Sequence, residues 1–160
     1  MSVDLTGQTP RPAPDGTGRR VAIVSGRFNA AIVEELVRGA TDLLTGAGVA
    51  EADITTVWAP GALEVPQLAK AVAEAGGHDA IVALGAVIKG GTYHFEVVCD
   101  ASAAGLMQLS LQTDVVITNG ILTVYDEEQA RVRSGDDHRN KGAEAALAAL
   151  ETLAARATIR

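Results

Sequence analysis

Ala80-Ile81-Val82-Ala83-Leu84-Gly85-Ala86-Val87 is an apolar run without a single polar side chain. Side chains of a strand alternate between its two sides, so a strand apolar on both needs cover on both, as parallel sheets receive from flanking helices. Toward the N-terminus the chain shows the same strand and helix cycle twice. Val21-Ala22-Ile23-Val24 reads as a strand ending at Ser25-Gly26, after which Ile32, Leu36, Ala40 and Leu43-Leu44 recur at helical spacing up to a stop at Gly46-Ala47-Gly48. Ile54–Ala59 reads as another strand, and a helix from Glu64 to Ala75 follows the turn Pro60-Gly61 and stops at Gly76-Gly77. Toward the C-terminus, a helix from about Thr92 to Leu111 places Phe95, Cys99, Ser102, Leu106 and Leu109 on one stripe. Val115–Leu122 reads as the fourth strand, followed by a short helix at Glu127–Arg133 and an Ala-rich one at Lys141–Ala157. Strands alternating with helices predict an α/β fold: a four-stranded parallel sheet with right-handed crossovers and helices on both faces.

Composition bounds the rest. Of 160 residues 48% are hydrophobic but only 3% aromatic, so the core is built mainly from Ala, Val, Leu and Ile. Such a chain reads as one domain over residues 20–160, and at this size it buries roughly 70% of the surface its unfolded form exposes, enough to fold without metals or crosslinks. Residues 1–19, with Pro10, Pro12, Pro14, Gly7, Gly16 and Gly18, read as a flexible N-terminal arm. Cys99 is the only cysteine, so no internal disulfide forms and nothing points to an oxidising compartment. Thirteen basic against twenty acidic side chains leave a net charge of −7, which repels phosphate backbones and disfavours a general nucleic-acid binder. No apolar run approaches the roughly 18 residues of a membrane span, and the polar start Met1–Arg20 lacks the apolar stretch of a signal peptide, so a cytoplasmic location is expected.

In parallel sheets ligands collect outside the carboxyl ends of the strands. Four segments are read as strand ends and are expected to converge there: Ser25-Gly26-Arg27-Phe28-Asn29, Ala59-Pro60-Gly61-Ala62-Leu63-Glu64, Gly85 through His94, and Thr118-Asn119-Gly120. Gly85-Ala86-Val87-Ile88-Lys89-Gly90-Gly91-Thr92 nearly has P-loop spacing but puts Gly91 where that motif needs lysine, which rejects triphosphate binding by it. Glycines and free amides opening a helix can still cradle a phosphate, although a glycine pair there is more often only a tight turn. His94 follows this loop. Histidine suits proton transfer, and although a lone histidine is usually structural or exposed, the neighbouring cradle singles His94 out. His78 and His138 read as structural or solvated, and no His, Cys and carboxylate set has metal-ligand spacing. Phe28 either caps the sheet or stacks on a planar ring. Glu64 complements a helix dipole or accepts hydrogen bonds from ligand hydroxyls, while Arg133 and Lys141 flank a polar loop and would act only with a phosphate nearby.

Taken in order, several segments together resemble the lumazine synthases: Gly26-Arg27-Phe28-Asn29, Pro60-Gly61-Ala62-Leu63-Glu64-Val65-Pro66, and Gly85-Ala86-Val87-Ile88-Lys89-Gly90 with Thr92 and His94. Asn119-Gly120-Ile121-Leu122-Thr123, Glu128-Gln129-Ala130 and Asn140-Lys141-Gly142 continue the resemblance, which runs from Arg20 to the last helix. It implies a flavodoxin-like three-layer sandwich and the penultimate step of riboflavin biosynthesis. In that step 5-amino-6-(D-ribitylamino)uracil condenses with 3,4-dihydroxy-2-butanone 4-phosphate to give 6,7-dimethyl-8-ribityllumazine, phosphate and water, with no cofactor or metal. The resemblance implies that Phe28 stacks on the pyrimidine and that Ala62, Leu63 and Glu64 hold the ring and ribityl chain. Ala86, Val87 and Ile88 would line the ring pocket, largely through backbone groups. Gly91 and Thr92 match the phosphate-contacting pair, Arg133 the phosphate-binding arginine, Lys141 a nearby lysine and His94 the proton-transfer residue, while the position of Asn119 reaches into a neighbouring subunit's site. Leu63 stands where an aromatic is frequent, Lys89 where arginine is frequent, and Asn119 where phenylalanine often contributes ring contact. The implied partners are the small-molecule substrates and further copies of the chain, as pentamers or, in some members, icosahedral shells of sixty subunits with sites between neighbours, and riboflavin synthase as an associated enzyme. The loop Ser134-Gly135-Asp136-Asp137-His138-Arg139 shows no insertion relative to shell-forming versions, which leans toward the larger assembly.

A non-catalytic flavin or lumazine binder on this fold would keep Phe28 and the ring pocket but need neither His94 nor the phosphate groups. A generic flavodoxin-like signalling module would leave the ordered motifs unexplained. The five aromatics, Phe28, Trp58, Tyr93, Phe95 and Tyr125, fall at or near the expected strand ends and their loops, which points the rare rings at the site rather than the core.

Overall fold

All four strands are present and parallel, in the order β2-β1-β3-β4. The structure, a computed structural model, describes residues 12–159. Strand β1 (Val21–Gly26) leads into helix α1 (Ala30–Gly46), β2 (Ile54–Ala59) into α2 (Val65–Ala75), and β3 (Ala80–Ile88) into α3 (His94–Gln112). Strand β4 (Val116–Val124) is followed by α4 (Glu127–Ser134) and α5 (Lys141–Ala157). A single 3-10 turn, Ala62–Glu64, begins what reads in sequence as a helix from Glu64.

The sheet is the middle of three layers. Val21 and Ile23 of β1 and Val82 and Leu84 of β3 pack on one side with Leu36, Ala40 and Leu44 of α1, Ala130 of α4 and Ala146, Ala149 and Leu150 of α5. On the other side, Ala22 and Val24 of β1 and Ile81 and Ala83 of β3 meet Val65 and Ala69 of α2 and Val98 and Leu106 of α3. Every residue from Ala80 to Ala86 is buried, as expected of a strand covered on both faces. On α3 the buried seam is Val98, Ser102 and Leu106, so the expected stripe is correct at Ser102 and Leu106 and centred one position away from Cys99.

Strand β1 pairs with β2 on one side and with β3 on the other, so the chain reverses its direction of travel across the sheet between β1 and β3. At such a switch the loops leaving the two strands diverge and open a crevice at their carboxyl ends. The loops after β1, β2 and β3 do converge there. Thr118-Asn119-Gly120 does not join them, which corrects one expectation. These residues lie inside β4, where Asn119 is in register with Ala83, and the strand runs on to Val124. A polar triplet that looks like a strand end is tolerated because β4 is an edge: the Asn119 side-chain oxygen accepts the Ile121 N–H at 2.9 Å. Gly120 is a packing residue, since a Cβ there would sit 2.6 Å from Leu84 Cδ2 and 2.8 Å from Ala145 Cβ.

Of the segment read as an N-terminal arm, Gly7 and Pro10 lie outside the described residues. From Asp15 the chain is tied to the body: the Gly16 N–H donates to the Ala47 carbonyl at 2.8 Å, and Asp15 accepts hydrogen bonds from both the amide and the hydroxyl of Thr17. No helix among the described residues is long and apolar enough to cross a membrane.

Candidate active site

The crevice at the β1/β3 switch encloses about 270 Å³ and is lined by Gly26, Phe28 and Asn29 after β1, Gly61 through Glu64 after β2, Ala86 through Ile88 at the end of β3, and His94 and Val98 of α3. It thus gathers Phe28, Ala62, Leu63, Glu64, Ala86, Val87, Ile88 and His94, eight of the residues singled out from sequence. Backbone hydrogen bonds hold its rim: Arg27 N–H donates to the carbonyls of Ala59 and Pro60, and Phe28 N–H to Pro60. Phe28 rises from this rim with 68% of its surface exposed, a large apolar ring on display at the mouth of a polar-edged pocket.

Asn29 holds the turn that presents Phe28. It is the only non-glycine residue with positive φ among the described residues, at φ 62° and ψ 55°. Asparagine is the non-glycine side chain best suited to this left-handed conformation. Its Nδ2 donates to the Ala86 carbonyl at 2.8 Å, so the loop after β1 is tied to the end of β3 across the crevice.

Gly90, Gly91 and Thr92 form an exposed loop between β3 and α3, with His94 as the first residue of the helix. The Thr92 hydroxyl accepts a long hydrogen bond, 3.4 Å, from the His94 amide. One end of the loop is anchored by the Lys89 N–H, which donates to Val124 at 2.9 Å. Lys89 also pairs with Glu96 at 3.5 Å and lies 5.6 Å from the centre of the Tyr125 ring, which in turn packs at 5.9 Å against Phe95. The clustering of rings at the carboxyl end of the sheet therefore includes a small aromatic and ionic clasp beside the glycine loop. Cys99, on the same helix and half-buried, has its thiol pushed up by burial and by the carboxylates of Asp100 and Glu96, which favours the neutral form.

Asn119, Arg133 and Lys141 are elsewhere. They line a separate cavity of about 460 Å³ between the outer edge of β4, the end of α4 and the start of α5. Arg133 donates through Nη1 to the Gln129 carbonyl at 3.1 Å, and Lys141 Nζ pairs with Glu144 at 2.7 Å, so both cations are directed by their own helices. Helix α4 is started by Asp126, whose carboxylate accepts the Gln129 N–H at 2.8 Å, while Gln129 accepts the Tyr125 N–H at 2.9 Å.

The family model described as 6,7-dimethyl-8-ribityllumazine synthase matches residues 18–157. The chain belongs to this family. A 6,7-dimethyl-8-ribityllumazine synthase from Leuconostoc mesenteroides subsp. mesenteroides is 48% identical over 139 residues, which cover 87% of this chain and 89% of that protein. The family match spans both cavities and the glycine loop, and every residue that the lumazine synthase resemblance singles out lies inside it.

Sequence reasoning assigned no role to Asn29, Gly61 or Val98 in the first cavity, nor to Glu144 in the second. Asn29 could have been found from its type, an asparagine directly after an aromatic at a strand end, where a left-handed turn is common. Glu144 could have been found from its spacing, three residues after Lys141 on the same helix, where opposite charges meet.

Proposed function

We propose that the chain catalyses the condensation of 5-amino-6-(D-ribitylamino)uracil with 3,4-dihydroxy-2-butanone 4-phosphate to 6,7-dimethyl-8-ribityllumazine, with release of inorganic phosphate and two waters. The observation that carries this reading is the joint lining of one crevice by Phe28, Glu64, the β3 end and His94 within a chain that matches the family over residues 18–157. A non-catalytic binder would have no use for His94 beside a glycine loop, or for two cations that share a second cavity.

An aromatic amine and a ketone form an imine slowly in water because they must meet, orient and exchange protons, and a site that holds both removes much of that cost. In this reading Phe28 stacks on the pyrimidine, Ala62, Leu63 and Glu64 hold the ring and ribityl hydroxyls, and the backbone of Ala86, Val87 and Ile88 meets the ring edge. The amides around Gly91 and Thr92 receive the phosphate at the start of α3. Arg133 binds two phosphate oxygens through its planar fork, with Lys141 adding charge. His94 moves protons in carbinolamine dehydration and in removal of the proton that precedes phosphate elimination. Ring closure then expels the second water.

Because Arg133, Lys141 and Asn119 line a cavity that Phe28 and His94 do not share, we read the working site as composite, the first cavity of one subunit facing the second cavity of its neighbour. A contact between two different surfaces of the same chain is head-to-tail and closes into a ring when its rotation permits. The pentamer implied by the family fits this arrangement, and the larger shell is its extension. Val97, Met107 and Leu111, exposed along α3, supply apolar area for subunit contact. Residues 20–160 act as the one catalytic domain, to which the chain is already tied from Gly16, and a riboflavin synthase that consumes the lumazine is the associated enzyme. The cytoplasm is the expected setting, in keeping with a single unpaired cysteine.

Mixing the protein with both substrates and following lumazine absorbance and fluorescence tests the reaction. Product formation dependent on both substrates supports it, and no product at saturating concentrations overturns it.

A further inference from the structure

Arg133 and Lys141 reach the same cavity from two different helices, joined by a loop whose Asp136, Asp137 and His138 are exposed. Something must set their separation, because two cations grip one phosphate only when their spacing matches its oxygens. The residue bonded to both helices is Asn140, which joins the end of α4 to the start of α5. Its side chain is buried, with 3% of the residue exposed, and every polar atom of its amide is used. Nδ2 donates to the carbonyl of Ser134 at 3.1 Å and of Gly135 at 3.0 Å, which are carbonyls left unpaired where α4 ends. Its two N–H groups also reach the Glu35 carbonyl of α1 at 3.1 Å, so one of them is shared between two acceptors. Oδ1 accepts the Ala143 N–H at 3.0 Å and so caps α5.

One amide therefore ties three helices at a single point. Arg133 immediately precedes the carbonyls it holds, and Lys141 immediately follows Asn140 itself. The fit leaves no slack. A Cβ at Gly39 would overlap the terminal atoms of the Asn140 amide, and a Cβ at Gly142 would overlap the Leu36 carbonyl, so α1 and α5 approach as closely as glycine allows.

We infer that Asn140 is a positioning residue that fixes the spacing of Arg133 and Lys141 and thereby sets affinity for the phosphate-bearing substrate. The inference rests on the reaction proposed above, since that reaction supplies the phosphate that the two cations would hold. A hub that merely stabilised the fold would lower the amount of active protein and leave the Michaelis constants of the survivors unchanged. A hub that sets cation spacing raises KM for one substrate only.

The test uses full-length Asn140→Ser, which keeps an oxygen to cap Ala143 but removes the donors to Glu35, Ser134 and Gly135. The butanone phosphate KM is expected to rise about tenfold, with the pyrimidine KM and the kcat at saturation within about threefold of wild type, the pattern of lost binding rather than lost chemistry. Inhibition by inorganic phosphate at saturating pyrimidine is expected to weaken in parallel. In the double variant Gly39→Ala with Asn140→Ala, the new methyl enters the space left by the whole amide, whose Cγ stood 2.5 Å from that position, without restoring a donor. Its thermal midpoint is expected to recover toward wild type while the butanone phosphate KM stays raised. Recovery of that KM together with stability would mean that Asn140 only packs, and overturns the inference, as does a single variant whose butanone phosphate KM lies within twofold of wild type. If Asn140→Ser alone does not fold, the double variant carries the same comparison. If neither folds, the residue is a folding determinant and the inference fails. A wild-type protein that forms no lumazine overturns the reaction instead, so the two failures are distinguishable.

Discussion

The Phe28 ring lies directly on the backbone of Gly61: a Cβ at position 61 would sit 2.6 Å from Phe28 Cδ2 and 2.8 Å from Cε2. Gly61 has φ −148°, an extended conformation open to any residue, so Gly61→Ala strains no backbone and acts only by pushing the exposed ring aside. If Phe28 stacks on the pyrimidine, displacing it forfeits an aromatic contact of about 0.5–1.5 kcal/mol, and the pyrimidine KM rises about two- to twelvefold. Steady-state kinetics with each substrate varied in turn check this. A pyrimidine KM that stays at the wild-type value in both Gly61→Ala and Phe28→Ala would remove the stacking role.

His94 opens α3 beside the glycine loop and faces the same crevice as Phe28. General acid and base catalysis contributes about a hundredfold to ten-thousandfold, so His94→Ala should lower kcat within that range and leave residual turnover from substrate positioning. The pH profile of kcat should flatten in the variant. Unchanged turnover would mean that the protons travel through another group.

How much of this was legible in the sequence follows from which forces are local. The apolar run at Ala80–Val87 and the helical spacing of Ile32, Leu36 and Ala40 report burial, the main driving force of folding, and so the layers and their order of appearance could be read directly. Phe28, Glu64 and His94 lie beside glycines at strand ends, where topology alone gathers them. Asn119 could not be placed this way, because a polar residue is equally at home in a loop and on the free edge of β4. The residue type hints at the turn that Asn29 makes, but the partners of Asn29 and Asn140 were hidden for another reason. The two asparagines do their work by hydrogen bonds to carbonyls 57 and 105 positions away, and no periodicity announces a partner at that distance.

The loop that leads into Asn140 carries its own acid-sensitive lock. The Asp137 carboxyl is held down at about 2 by the Arg139 guanidinium, which donates to it at 2.7 Å, and by the Arg139 amide at 2.8 Å. A carboxylate lowered in the folded state contributes stability above its unfolded value, about 3.9, and that contribution is lost as pH falls through about 2. Removing the guanidinium in Arg139→Ala leaves only the backbone donor, so the Asp137 titration should move up toward the ordinary carboxylate range. Carbon-detected NMR titration of the Asp137 carboxyl measures both midpoints, and a wild-type midpoint near 4 would show that the pair does not form in solution.

The two cavities make the strongest demand on the assembly. If each site takes His94 from one subunit and Arg133 from the next, then His94→Ala and Arg133→Ala damage opposite halves of every site. In a ring formed by equal amounts of the two variants, a site is intact when an Arg133→Ala subunit supplies its His94 to a neighbour that carries His94→Ala and retains Arg133. Random mixing makes about one site in four of this kind, so at butanone phosphate levels well below the Arg133→Ala KM co-assembled variants should regain about a quarter of wild-type activity, although each alone is nearly inactive under those conditions. The gain requires that the subunits exchange or assemble together, so the same variants purified apart and mixed as finished rings should show none of it. If instead one subunit folded both cavities into a single site, no mixed ring would exceed the mean of its two parents, whatever its composition. Activity measured on co-expressed, doubly tagged assemblies therefore decides between a site inside one chain and a site shared between neighbours.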